Sequence, residues 1–331
     1  MKDNIDFALF LDQYSFIDDW HIEHKESGMN NTTRMVTAGT ERFVLRIYNN
    51  HKDNDIVALE HELLAWLNTK ALPFQVPLPI RNVFGSTVTK AEDGTIASLF
   101  RFIVGDRTDA EENHHVYLLG RAAGELTLAL KDAQPSKPPI YSPYYLLEET
   151  YAALDEESFV ALSERSDELT ARRNRMIALM DERQKLKPLS KRIAELPKQW
   201  IHGDLVFNNT IVRNERIAGV LDFEFCTVDV RAMELAVTAV DMIRPGREDV
   251  LERIKLLFAG YSEIIKLSAR ELELLPAIMK LRLLDVALHF AIRFKDGLDA
   301  DDVLCGIIDQ SAYGCEWVER NCNELLHQLQ S

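Results

Sequence analysis

Phe43–Tyr48 (FVLRIY) is apolar or aromatic at every position but Arg46, predicting a strand bounded by the Gly39-Thr40 turn and the polar loop Asn49–Asn54. Over Ile56–Asn68 the period changes: Ile56, Leu59, Leu63, Trp66 and Leu67 recur at three- and four-residue steps, predicting an amphipathic helix. Pro73, Pro77 and Pro79 then break the chain. Two strand-like runs follow, Asn82–Lys90 and Thr95–Ile103, joined by a turn at Glu92–Thr95. Upstream, a short helix is expected over Asn4–Tyr14, with Phe7, Leu11 and Tyr14 at helical spacing. Two extended pieces within Trp20–Val36 flank a small-residue turn that holds Gly28, Asn30 and Asn31.

The extended pattern stops at Gly105, and the rest reads as helical apart from one hairpin. Helices are expected at Tyr117–Lys131, in several pieces through the charge-dense Leu146–Leu196, and at Val230–Ile243 and Glu248–Lys266. Two more follow, Ala269–Phe294 (interrupted at Pro276) and Asp301–Leu329. Gly120, Ala123 and Gly124 permit close packing of a neighbour, and Asp229 reads either as the N-cap of its helix, the favoured reading, or as part of a substrate wall. Gln134–Tyr145, rich in Pro and Tyr, is expected as a loop whose aromatics pack it down.

The hairpin falls in Trp200–Phe225, WIHGDLVFNNTIVRNERIAGVLDFEF. Thr210–Arg213 runs out, Asn214-Glu215-Arg216 turns, and Ile217–Phe223 runs back. Such a hairpin brings Asp204, Asn209 and Asp222 together at one end. A carboxylate able to accept a proton then sits beside an amide and a second carboxylate, hard oxygen donors of the kind that suit Mg²⁺. That is the minimal equipment for moving a phosphoryl group from a nucleotide, where positioning and charge neutralisation do most of the work.

His202-Gly203-Asp204, Asn209 and Asp222 in LDFEF resemble the aminoglycoside phosphotransferase/choline kinase/homoserine kinase group, small-molecule kinases on the protein-kinase fold. The resemblance implies an α+β, two-lobed fold: residues 1–104 as a nucleotide-binding lobe with an antiparallel sheet and one helix, and 105–331 as a larger, mainly helical catalytic and substrate-binding lobe. It implies ATP and Mg²⁺, with Asp204 as catalytic base and Asn209 and Asp222 as metal ligands. The cation on the phosphates is Arg46, where the family has Lys, and a guanidinium can grip phosphate bidentately. Its helix partner is expected to be Glu60, with Glu62 as the fallback. The Gly28–Asn31 turn, alone an ordinary hairpin turn, becomes a cover whose backbone amides approach the phosphates. The adenine is expected on the backbone of Phe102–Val104. His202 shapes the catalytic loop, and Glu234, standing where the family has Asp, braces it.

Composition changes the picture only by exclusion. The 331 residues are enough for a sizeable core, and their net charge of −15 disfavours a nucleic-acid partner. No apolar run approaches a membrane helix, and Met1–Asp12 lacks the character of a secretory signal. The four cysteines form no CxxC pair, so they read as reduced thiols of a cytoplasmic protein. The expected activity is ATP- and Mg²⁺-dependent phosphorylation of a hydroxyl on a small homoserine-, choline- or aminoglycoside-like molecule. The LDFEF wording and compact length resemble the homoserine-kinase-like branch most. The alternative is a catalytically weak kinase-like module that binds a nucleotide or partner. Arg46, Thr127 (where the family has His) and Glu234 are the departures that keep it open. A protein kinase is disfavoured, because Glu224 stands where the DFG glycine would be.

Overall fold

A strand that carries a charged side chain in its middle needs hydrogen-bonded neighbours on both sides to bury that residue. The computed structural model, which describes residues 6–16, 19–23, 31–48 and 54–330, gives β3 (Glu41–Tyr48) such a place. With β1 (Trp20–Glu23), β2 (Asn31–Ala38), β4 (Thr89–Lys90) and β5 (Ile96–Arg101) it forms a five-stranded sheet in the order β1-β2-β3-β5-β4. All four pairings are antiparallel, with Arg46 opposite Thr33 on one side and Ser98 on the other. Phe43, Leu45 and Ile47 on one face join Val36, Leu99 and the short helix α1 (Ala8–Leu11) in a core cluster. On alternate positions, Val44, Arg46 and Tyr48 point the other way. The helix α2 (Asn54–Asn68) buries Val57, Leu59, Leu63, Leu64 and Leu67. Most of the run expected as a strand over Asn82–Lys90 is a loop instead. The Asn82 side chain accepts from the backbone of Phe84 and Ser86 there, which favours a turn over a ladder.

The chain divides into two units. The smaller comprises residues 1–106, 133–140 and 211–224; the larger comprises 107–132, 141–210 and 225–331. The hairpin strands are β8 (Thr210–Arg213) and β9 (Arg216–Val220), in a small sheet with β6 (Asp106–Arg107). Asn214 and Glu215 turn between them with φ of 51° and 56°, the two left-handed residues that a tight hairpin requires. Within the smaller unit the hairpin docks on Gln75, whose N–H donates to Ala218 and whose carbonyl accepts from Val220.

The larger unit is mainly helical. It contains α3 (Asn113–Leu130), α4 (Leu147–Thr150), α5 (Glu156–Ala161), α6 (Asp167–Thr170) and α7 (Arg173–Ala194). A two-stranded antiparallel sheet follows, β7 (Lys198–Ile201) with β10 (Thr227–Val230). After it come α8 (Ala232–Asp241), α9 (Val250–Ser262), α10 (Ala269–Lys295) and α11 (Asp301–Gln330). The small residues of α3 do admit a neighbour. A Cβ on Gly120 would stand 2.0 Å from the Leu257 carbonyl oxygen, and one on Gly260 would stand 2.1 Å from that of Tyr117, so α3 and α9 cross with their backbones in contact. The expected interruption at Pro276 is absent. Proline sits inside a continuous α10 that starts from a Ser268–Glu271 capping box. No helix among the described residues is long and apolar enough to cross a membrane.

Candidate active site

The smaller unit gathers its charged residues on the face of β3 opposite the core cluster. Arg46 Nη1 donates to Glu60 Oε1 on α2 at 3.0 Å, and Nη2 stands 3.1 Å from Asp222 Oδ1. The Tyr48 hydroxyl donates to the second Glu60 oxygen at 3.1 Å. Asn31, at the start of β2, donates from Nδ2 to Glu224 Oε2 at 2.7 Å. The partner of the strand cation is thus Glu60; Glu62 instead accepts from the N–H and hydroxyl of Ser136, each at 2.6 Å.

The Arg46 guanidinium is paired with Glu60 and Asp222, and the charge of Glu224 acts on it as well. Burial disfavours charge on Arg46, yet Asp222 and then Glu60 outweigh it and keep the cation firmly protonated. Burial pushes the Glu60 carboxyl up to about 7; Arg46 opposes the rise, and the neighbouring Asp222 and Glu224 add to it. The surplus of negative charge suits a further cation. Asp222 Oδ1 points the same way: it is buried and accepts no hydrogen bond among the described residues, its contact with Arg46 being an ion pair out of line. Asp222 also holds φ at 69°, a left-handed backbone that costs on the order of 1 kcal/mol or more and persists only where the surroundings impose it.

Of the other residues expected on the nucleotide, Gly28 and Asn30 lie outside the described residues. The Phe102 N–H donates to the Arg42 carbonyl at 3.1 Å, extending the ladder, and its ring carries the Arg42 guanidinium at 3.9 Å. Val104 is exposed. A base read by this segment therefore meets backbone groups other than the Phe102 N–H.

In the larger unit, β7 leads into His202-Gly203-Asp204, and nearly every polar group of that loop is tied. The His202 N–H donates to Glu234 Oε2 on α8 at 2.6 Å, and the Gly203 carbonyl accepts from the Tyr144 hydroxyl at 2.7 Å. The Asp204 N–H donates to His202 Nδ1 at 3.2 Å, and the Leu205 carbonyl accepts from the Thr238 hydroxyl at 2.7 Å. Only glycine fits the middle position: Gly203 has φ of 79°, and a Cβ there would stand 2.8 Å from the Phe225 carbonyl oxygen. Glu234, despite its extra methylene, still reaches the loop. Burial pushes its carboxyl up to about 8, against the pull of the His202 and Gly203 backbone amides.

Asp204 and Asn209 are brought together. Asn209 Nδ2 donates to the Asp204 carbonyl at 2.9 Å and to Asp204 Oδ2 at 3.1 Å. With its nitrogen anchored, the amide turns its oxygen away, the atom a hard cation would take. Among the described residues no three His, Cys, Asp or Glu side chains converge as a metal site. Mg²⁺ does not require such a trio, since it uses one or two protein oxygens together with phosphates and water. An amide oxygen, as on Asn209, and a carboxylate oxygen, as on Asp222, are each of the hard kind that Mg²⁺ takes.

Asp229 is not a helix N-cap. It lies fully buried in β10 and accepts from the backbone N–H groups of Tyr144 and Val230, each at 2.5 Å, while burial raises its carboxyl to about 7. Thr127 is core, its hydroxyl donating to the Ala123 carbonyl. Asp285 and His289 form no catalytic pair: Asp285 accepts from the Tyr151 hydroxyl at 2.8 Å, and the His289 ring packs edge-on against Phe290.

Sequence reasoning missed Arg282 and Tyr144. Arg282 Nη2 donates to Asp204 Oδ1 at 2.5 Å, and Nη1 donates to the Tyr144 hydroxyl at 2.8 Å. The available signal was a lone cation in a mostly apolar stretch of α10, LRLLDVAL, whose other charged residue is Asp285.

A homoserine kinase from Methylocella silvestris is 25% identical over 289 residues, 87% of this chain and 84% of the relative. One from Acidiphilium cryptum is 25% identical over 277 residues, 83% of this chain and 81% of the relative. Among solved structures, a microcompartment-associated aminopropanol kinase superposes with a TM-score of 0.67 at 18% identity, covering 95% of this chain and 96% of the other. An amicoumacin kinase in complex with AMP-PNP, Ca²⁺ and Ami gives 0.67 at 18% identity, covering 92% and 90%. The fold is thus the α+β, protein-kinase-like one expected from the sequence, an antiparallel sheet followed by a mainly helical part. The family model described as "Phosphotransferase enzyme family" matches residues 21–272, most of the chain, and the chain belongs to that family.

Proposed function

We propose that the chain is an ATP- and Mg²⁺-dependent small-molecule kinase that phosphorylates an alcohol, with a homoserine-like acceptor favoured by the names of its relatives. The observation that carries this reading is the cluster in which one largely buried guanidinium is paired with Glu60 and Asp222 and feels the charge of Glu224. Such a surplus of carboxylates is costly without a cation, and a nucleotide's metal supplies one.

Residues 1–104 take the nucleotide and 105–331 supply the base and the acceptor site. Arg46, fixed by Glu60, binds the α- and β-phosphates. Backbone amides of Gly28, Asn30 and Asn31 cover the phosphates, and the Phe102–Val104 backbone reads the adenine. Asn209 and Asp222 would hold Mg²⁺, which when bound neutralises charge on the phosphates. Asp204 accepts the proton of the acceptor hydroxyl as that oxygen attacks the γ-phosphate. Glu234 and His202 keep the loop in shape. Cys226, Cys305, Cys315 and Cys322 form no disulfide, which fits a cytoplasmic setting.

The reading is tested by melting temperature with and without Mg·ATP, followed by phosphoryl transfer to L-homoserine, 3-aminopropanol, choline and kanamycin. A ligand that binds only the folded state must raise the midpoint. A Mg²⁺-dependent rise lost in Asp222→Ala, together with turnover of one alcohol lost in Asp204→Asn, is the expected outcome. Full turnover by Asp204→Asn would remove the base assignment. No rise at saturating nucleotide would remove the kinase reading.

A further inference from the structure

We propose that Arg282 is the positioning residue of the phosphoryl transfer, fixing the carboxylate of Asp204 through one of its two oxygens. The inference rests on Asp204 being the base. It also rests on geometry confined to the larger unit, which contains all the residues involved.

Arg282 is five-sixths buried, with 16% of its side chain exposed. Its Nη2 donates to Asp204 Oδ1 at 2.5 Å, a charge-assisted bond of the short, strong kind. Its Nη1 donates to the Tyr144 hydroxyl at 2.8 Å, and that hydroxyl donates to the Gly203 carbonyl at 2.7 Å. The backbone N–H of Tyr144 is in turn fixed on buried Asp229. Guanidinium, phenol and glycine carbonyl thus make a closed brace around the base, ending on the backbone one residue before it. Asp285, one turn along α10, also attracts the guanidinium and is itself fixed by Tyr151.

A carboxylate on a single Cβ can rotate about χ1 and χ2, and a base must present one oxygen to the acceptor hydroxyl in a narrow range of directions. Arg282 occupies Oδ1, and Asn209 offers Oδ2 only a longer bond from a neutral amide. In the transfer, the hydroxyl proton goes to Oδ2 and the acceptor oxygen forms its bond to the γ-phosphorus. The bond from that phosphorus to the bridging oxygen breaks, and its electron pair leaves with ADP. Arg282 keeps its own proton throughout and carries none of the transferred groups.

The test compares wild type, Arg282→Gln, Arg282→Lys and Arg282→Ala, with Asp204→Asn in parallel. The readout is phosphorylation of whichever alcohol of the panel above wild type uses, or Mg·ATP hydrolysis with water as acceptor if it uses none. A misplaced base costs on the order of 10²-fold. The expected result is a fall of about that size in kcat for Arg282→Gln, with KM for Mg·ATP within about threefold of wild type. Arg282→Lys restores part of the rate, and millimolar methylguanidinium, but not methylammonium, restores part of that of Arg282→Ala. A double-variant cycle on the melting temperature of the ligand-free protein adds a readout independent of turnover. Arg282→Gln and Asp204→Asn should be clearly non-additive.

The inference is overturned if Arg282→Gln keeps kcat within twofold, or if only the acceptor's KM changes, which would make Arg282 a substrate contact. It is also overturned if the two variants add on stability. In each case loss of turnover in Asp204→Asn would leave the base assignment standing. Retained turnover in that variant would remove the base assignment itself.

Discussion

Arg46 Nη2 stands 3.1 Å from Asp222 Oδ1, so the central strand and the end of the hairpin segment meet through one ion pair although 176 positions separate them (222 − 46). The same guanidinium is bonded to Glu60, whose side chain is 2% exposed. Breaking a buried pair by removing one partner leaves an unpaired charge and costs about 3–5 kcal/mol. Glu60→Ala leaves Arg46 its ion pair with Asp222, so the cost is expected toward the lower end, about 3 kcal/mol. Urea unfolding measures it. A change below about 1 kcal/mol would show that the pair is worth no more than a surface one.

Gly203→Ala tests the His202–Asp204 loop. Its left-handed φ and the approach of the Phe225 carbonyl leave no space for a methyl group. The expected cost is about 1–3 kcal/mol in stability. Turnover should fall further than that loss explains, because the loop moves Asp204. Stability measured by urea and kcat measured on the same samples separate the two effects. A variant with wild-type kcat would show that the loop tolerates the shift.

Gly120→Ala tests the crossing of α3 and α9. The new methyl would overlap the Leu257 carbonyl oxygen, so the helices must move apart. Overpacking of this kind costs about 1–3 kcal/mol, more where backbone rather than side chain has to yield. Thermal unfolding checks it, and an unchanged midpoint would mean that the crossing is looser than described.

Glu234 gives a pH dependence with a definite sign. Its folded carboxyl is raised to about 8, above the ordinary glutamate value of 4.5. The folded state therefore binds the proton more tightly than the unfolded one. This contribution is fully present below about pH 4.5 and is lost as pH rises toward 8. Glu234→Gln cannot ionise, so its stability relative to wild type should improve steadily from pH 5 to pH 8. Melting temperatures across that range decide the matter. A constant difference would mean that Glu234 is ionised in the folded protein throughout.

Much of this was legible because it is local. The apolar run of Phe43–Tyr48, the steps of Ile56–Asn68 and the Asn214-Glu215 turn each follow from neighbours in sequence. The choice of Glu60 over Glu62 came from the resemblance rather than from local pattern; in the structure Glu60 bonds Arg46 while Glu62 bonds Ser136. Asp229 misled because an acid just before a helix ordinarily caps it; here pairing with β7 extends the strand to Val230, and the carboxylate turns inward to Tyr144. Arg282 was hidden for the opposite reason. It is 78 positions from Asp204 (282 − 204), and no periodicity reports which residue of a buried helix face will meet a loop so far away. Most of Asn82–Lys90 became a loop because the Asn82 side chain competes with the ladder for backbone amides.

The boundaries between the two units fall at 106/107, 132/133, 140/141, 210/211 and 224/225, so the chain changes unit five times. During synthesis, the first 106 residues leave the ribosome with Arg46 and Glu60 but without Asp222 and Glu224, which come more than a hundred residues later. Until then the sheet face that carries Arg46 lacks two of its three carboxylates, and the nascent first part is charged where the finished protein is buried. Folding of the smaller unit is thus completed only after much of the larger one has been made. A pause in translation between residues 106 and 211 would prolong the interval in which that unfinished face is open to the wrong contacts.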